Sequence, residues 1–176
     1  MVRQRPIMVV SIAAAAFACF FAAGWWGGLR INFTPSYPLG LWRIEPLGRP
    51  VAVGDLIFIC APEIPAFDLA FKRGYVWPGM CPGGRGPLIK MVVATAGQHV
   101  EIGRTVIIDG QPLAHSEIRG VDADGRALDR SSGGIVPAGE LFLHSDFVGS
   151  YDSRYFGPIP ASGLLGFARP ILTIGQ

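Results

Sequence analysis

Leu88-Ile89-Lys90-Met91-Val92-Val93-Ala94 is apolar at every position but one and rich in β-branched side chains. Gly86-Pro87 precedes it and Gly97 follows, so it reads as a short strand buried on both faces. Working outward, Leu56-Ile57-Phe58-Ile59-Cys60 after the turn Val53-Gly54-Asp55 has the same character, as do Leu41–Ile44, Glu140–His144, Leu164–Ala168 and Ile171–Ile174. Val100–Ile102 and Thr105–Ile108 flank Gly103-Arg104 as a hairpin, and Asp109-Gly110 is a further turn. With 24 glycines and 15 prolines in 176 residues, short strands and turns are favoured over a helical bundle. The expectation is a mainly β, mostly antiparallel domain, with Ala61–Arg85 irregular and His115–Gly134 an exposed loop.

Lys90 interrupts this pattern. Buried among apolar neighbours, its ammonium would lose hydration and its pKa would fall, which is how a lysine becomes a general base near neutral pH. The competing reading has the side chain snorkelling from a strand edge to water. A second candidate lies upstream in Thr34-Pro35-Ser36-Tyr37-Pro38-Leu39-Gly40, where two prolines stiffen a non-helical segment around one hydroxyl. Ser36 is either an ordinary loop serine or a nucleophile whose base lies elsewhere. A neutral Lys90 amine accepting its proton would make a Ser-Lys dyad.

The first 27 residues read as a separate unit. Ile7–Trp26 carries no charge and, at about 1.5 Å per residue, spans about 30 Å as a helix, the thickness of a bilayer's hydrocarbon core. Arg3 and Arg5 precede it and Trp25-Trp26 close it, which favours a cytoplasmic N-terminus and an exported domain over residues 28–176. A cleavable signal peptide is the alternative; its apolar region is usually shorter and exits through small residues.

Composition narrows the function. Hydrophobic residues make up 50% and charged residues 16%, too apolar for a typical soluble domain. A net charge of +2 without a basic run leaves no nucleic-acid footprint. His99, His115 and His144 lack metal-ligand spacing, so neither a metal nor another cofactor is expected. His144, Asp146 and Ser150 hold the residue types of a hydrolytic triad but no Gly-x-Ser-x-Gly elbow. Cys60 stands at the start of the irregular stretch of an exported domain and Cys81 within it, where a disulfide is chemically allowed, whereas Cys19 lies in the apolar run.

Taken in order, these segments resemble the motifs of membrane-bound signal peptidases of the serine-lysine type (S26), most closely their conjugative-transfer branch, the TraF-type proteases. Ser36-Tyr37-Pro38-Leu39-Gly40 resembles the nucleophile motif, Gly54-Asp55-Leu56-Ile57-Phe58 a Gly-Asp strand motif, and Leu88–Ala94 with Gly97 the general-base motif, with Met91 where Arg is common. Ile108-Asp109-Gly110 resembles the following hairpin, and Ser150-Tyr151-Asp152-Ser153-Arg154-Tyr155-Phe156-Gly157 the last motif. The resemblance implies Ser36 as nucleophile, Lys90 as general base and Ser150 as the group orienting the amine. It implies Asp152 and Arg154 as a supporting ion pair, with a second, catalytic role open for Asp152. The Ser36 N–H would hold the oxyanion, and Thr34 is either a second donor or a turn residue.

The function so implied is endoproteolysis of a membrane-delivered precursor after a small residue, through an acyl-enzyme. The site would be a shallow pocket of small apolar residues at the surface of a bacterial inner membrane. The branch adds conjugative transfer and a pilin precursor, with water or an amine resolving the acyl-enzyme. Two alternatives stay open: a housekeeping type I signal peptidase, and a non-catalytic membrane-tethered scaffold of a transfer channel, in which Lys90 would be exposed.

Overall fold

The computed structural model describes residues 4–175, with side chains from residue 7 onward. Arg3, half of the orientation argument, lies outside the described residues, as does the side chain of Arg5. The chain opens with helix α1 (Gln4–Trp26), followed by β1 (Leu29–Asn32), β2 (Leu39–Glu45), β3 (Leu56–Ile59), α2 (Pro65–Lys72) and β4 (Pro78–Cys81). Next come β5 (Leu88–Thr95), β6 (His99–Ile102), β7 (Val106–Ile108), β8 (Gln111–Pro112) and β9 (Gly134–Ile135). The chain ends with β10 (Glu140–His144), α3 (Ser153–Phe156), β11 (Ile159–Pro160) and β12 (Leu164–Ile174).

Among the described residues, α1 is the one helix long and apolar enough to cross a membrane, and none of its Ile7–Trp26 window is buried against protein. The remainder is antiparallel β structure. Seven strands form one sheet in the order β1-β2-β12-β3-β5-β10-β11, and four form a second in the order β8-β7-β6-β9. β12 is the spine, pairing with β2 along one edge and with β3 along the other. It is one strand where the sequence suggests two; the register slip between Pro170 and Leu172 absorbs the proline's missing donor.

β5 occupies the interior of the large sheet, between β3 and β10. Its side chains feed three cores, which is why its apolar run does not alternate. Val92 packs with Ile57, Ile59, Phe67 and Leu143; Val93 and Ala94 pack with Val100, Val106 and Phe142; Ile89 packs with Trp42 and Phe58. The third cluster also holds Tyr37, so the loop carrying Ser36 rests on the sheet.

The Ala61–Arg85 stretch is not irregular throughout, because it contains α2 and β4. Pro65 starts the helix with a preset φ, and Phe67 and Ala70, one turn apart, are fully buried. Eight residues between glycines and prolines are too few for that periodicity to declare itself in sequence. Cys60 and Cys81 form a disulfide closing this excursion, with 5.5 Å between their Cα atoms. Gly40, the last residue of the Ser36 motif, has φ 127°, and a Cβ there would overlap the Leu172 carbonyl. That close approach of β2 to β12 requires glycine.

Replacing both Cys60 and Cys81 by serine is expected to lower stability by about 3 kcal/mol, the loop-entropy value for a bridge of this span. Denaturant unfolding in detergent checks this. Reductant should lower the wild-type midpoint towards that of the double variant and leave the variant unchanged.

Candidate active site

The segment from Phe33 to Pro38 joins β1 to β2, and one buried amide organises it. The Asn32 Nδ2 donates to the carbonyls of Thr34, Tyr37 and Pro38 at 3.0, 2.9 and 3.1 Å. Its Oδ1 accepts from the Thr34 N–H and hydroxyl at 3.0 and 2.7 Å. Trp42 Nε1 donates to Pro38 O at 2.9 Å from below. From the far side of the sheet, Ser145 Oγ donates to the Ser36 carbonyl at 2.6 Å. The prolines stiffen the loop, and these bonds fix where it points.

Ser36 and Lys90, separated by 54 positions, meet in space: Lys90 Nζ lies 3.3 Å from Ser36 Oγ. The same amine donates to Ser150 Oγ at 2.6 Å. Lys90 is 3% exposed and Ser150 2%, so the snorkelling reading does not hold. Behind them, Arg154 grips Asp152 with two bonds, Nε to Oδ1 at 2.8 Å and Nη2 to Oδ2 at 2.9 Å, and both side chains are fully buried. Arg154 Nη2 also donates to Ser150 O at 3.2 Å, which ties the ion pair to the serine that holds the amine. Asp152 makes no hydrogen bond to Lys90 or Ser36, and caps α3 by accepting from Arg154 N at 3.2 Å.

Burial is the dominant influence on Lys90 and pushes its pKa down to about 8; Asp152 works against this and Arg154 adds to it. Burial also opposes ionisation of Asp152, yet contact with His144 and Arg154, with the charges of Arg154 and Lys90, holds its carboxyl below the usual range. The His144 approach, 3.4 Å from Nδ1 to Oδ2, is off hydrogen-bond alignment, so the bonds come from Arg154 and the Ser145 N–H.

The Thr34 hydroxyl is directed to Asn32 Oδ1, although the residue lines the cleft beside Ser36. That cleft, of about 250 Å³, is bounded by Pro35, Ile89 and Lys90 and by the aromatic side chains of Tyr75, Trp77, Phe147 and Tyr151. Large rings stand in its walls beside small residues such as Gly74, Val76, Gly86 and Gly149. Among the described residues no group of three His, Cys, Asp or Glu side chains could hold a metal. Chemically, the arrangement is a hydroxyl in reach of a desolvated amine at the head of an apolar groove, which suits acyl transfer.

Sequence reading missed Asn32, Ser145 and His144. Asn32 and Ser145 act through bonds to backbone carbonyls, which leave no pattern in one sequence. His144 stands out in sequence only as a member of an implausible triad or metal set.

A family model described as signal peptidase, peptidase S26, matches residues 1–173. The chain is 53% identical over 172 residues to a probable conjugal transfer protein TraF of Sinorhizobium fredii, covering 97% of this chain and 92% of that protein. It is 51% identical to the conjugal transfer protein TraF of Agrobacterium fabrum, covering 98% of each. To a plasmid transfer protein TraF of Escherichia coli it is 35% identical, covering 97% of each.

Since the folded-state pKa of Lys90, about 8, lies below its ordinary 10.5, the unfolded chain holds more protons between those values. Wild-type stability should therefore rise with pH across that window. Lys90→Met is expected to be more stable than wild type by about 3 kcal/mol at pH 7, with the difference closing as pH climbs from 8 towards 10.5. Thermal unfolding of both proteins across pH checks the sign.

Proposed function

Because the chain belongs to the peptidase S26 family of signal peptidases, in the branch of the TraF conjugal transfer proteins, we propose that it is a membrane-anchored serine endopeptidase that processes a conjugative pilin precursor. The observation that carries this reading is the buried Lys90 amine, 3.3 Å from Ser36 Oγ and 2.6 Å from Ser150 Oγ.

In the proposed reaction the neutral Lys90 amine takes the Ser36 proton as Oγ attacks the scissile carbonyl. The Ser36 N–H faces the developing oxyanion, and Thr34 joins it if its hydroxyl turns from Asn32. Collapse of the tetrahedral intermediate breaks the C–N bond, and the Lys90 ammonium returns its proton to the leaving amine. The acyl-enzyme on Ser36 is then resolved by water, giving a linear product, or by an amine of the same pilin, giving a ring. Ser150 orients the amine throughout, and the Asp152–Arg154 pair braces Ser150. The walls of the cleft leave room for a small side chain beside the scissile bond.

The proposed setting is a bacterial inner membrane, with the N-terminus cytoplasmic and the domain periplasmic. The apolar α1 supports an anchor. Exposed Ile31, Phe33, Leu172 and Ile174, on or beside strands that follow or neighbour the helix, support a site lying against the bilayer surface. The scaffold alternative requires an exposed Lys90, which is not its position here.

Mass spectrometry of a candidate pilin precursor co-expressed with the protein tests the reading. Wild type should shorten the precursor, whereas Ser36→Ala and Lys90→Ala should each leave it intact. A product lighter by one further water identifies ring closure. Processing of general exported precursors, with the pilin untouched, would move the assignment to a housekeeping signal peptidase. In vitro, kcat/KM should rise with pH through a midpoint near 8, the pKa of the Lys90 amine, because its neutral form is the competent one.

A further inference from the structure

His144 and Asp146 do not face Ser150 as a hydrolytic triad would need. His144 ends β10, is 1% exposed, and neither of its ring nitrogens has a hydrogen-bond partner. Nδ1 lies 3.4 Å from Asp152 Oδ2, and Nε2 lies 3.7 Å from Asp146 Oδ1, whose side chain is exposed. The imidazole thus stands between an inner carboxylate and an outer one. Tyr37 approaches from the loop of Ser36, its hydroxyl 3.4 Å from the His144 carbonyl, and Met91 pairs with His144 across β5. The charged groups around this cluster are Asp146, Asp152, Arg154 and, one position from Met91, Lys90.

Asp152 attracts a proton to Lys90, so each donor it receives elsewhere weakens that pull. Arg154 supplies three such bonds, from Nε, Nη2 and its backbone N–H, and Ser145 N–H adds one to Oδ2 at 3.3 Å. The imidazole is poised beside the same oxygen, and a turn of the ring that aligns Nδ1–H with Oδ2 forms the bond. Ser145, the next residue, holds the Ser36 carbonyl, so the ring's seat is shared with the nucleophile's support.

We propose that His144 is a positioning residue for the Lys90 amine: its Nδ1–H closes onto Asp152 Oδ2, adds a donor to that carboxylate and holds its charge off Lys90. The inference rests on Lys90 being the base. It gives a buried, otherwise unpartnered imidazole a use, and it makes Asp152 the hub between the amine's support and the nucleophile's.

The chain has two lysines, Lys72 and Lys90, so the amine can be watched directly. The full chain, in detergent and carrying Lys72→Arg, is labelled with carbon-13 at lysine Cε and titrated by NMR. The parent should titrate near 8. His144→Leu and His144→Phe, which keep bulk and remove the donor, should raise the midpoint by about half a unit to one unit, a three- to tenfold smaller neutral fraction at pH 7. Precursor cleavage at that pH should lose kcat by the same factor with KM unchanged. His144→Asn, which restores an N–H near the Nδ1 position, should return both readings to the parent values. A folded apolar variant that titrates and cleaves like the parent overturns the proposal, and so does a folded His144→Asn with a shifted midpoint. If Lys90→Ala still cleaves, Lys90 is not the base and the dyad reading fails, while the titration continues to report whether His144 acts on Lys90 through Asp152.

Discussion

An amine that is to be neutral near pH 8 has to be kept from water and from uncompensated negative charge, and the interior around Lys90 meets both conditions. Its direct partners are two neutral hydroxyls, Ser36 and Ser150, which satisfy hydrogen bonds without adding charge. Asp152 works against the effect by favouring the ammonium. Arg154, bonded to both carboxylate oxygens, pushes the other way. Breaking such a buried pair by removing one partner typically costs 3–5 kcal/mol, so it stays intact as a unit. The pair therefore braces Ser150 through the 3.2 Å bond from Arg154, while its two charges act on Lys90 in opposite directions. A charge-free core would be more stable, and the site gives up that stability to hold a titratable group where chemistry can use it.

What the sequence makes legible follows from how each residue does its work. Lys90 stands out because a cation in a run of buried side chains violates the local pattern. Ser36 stands out because two prolines flank it, and Ser150, Asp152 and Arg154 sit in one compact motif after a strand. The antiparallel sheet is legible because β3, β5 and β10 are short apolar runs between turns. Asn32 and Ser145 are invisible by contrast, since an amide or hydroxyl that bonds backbone carbonyls carries no spacing rule. α2 escapes notice because its buried face is two residues, Phe67 and Ala70. The aromatic lining of the cleft is gathered from distant segments, around positions 75–77 and 147–151, and only the fold brings them together.

The connection between anchor and nucleophile is short and stiff. Ser36 lies ten positions beyond the end of α1 at Trp26, and the path between is neither a linker nor a hinge. Gly27 and Gly28 turn the chain, and Ile44 N–H bonds Gly28 O at 2.8 Å, docking the turn on β2. The Arg30 guanidinium lies 3.6 Å over the Trp25 ring and donates to Trp25 O at 3.0 Å, closing the corner. β1 then pairs with β2 from Leu29 to Asn32, and Asn32 begins the bonds that hold the Ser36 loop. With α1 in a bilayer, four residues of strand raise the loop by only about 13 Å. The exposed Ile31 and Phe33, with Leu172 and Ile174 close by in the same sheet, give that short stem an apolar flank. On so short a stem Ser36 stays close to the end of α1, and the rigid corner fixes how far above that end its hydroxyl sits.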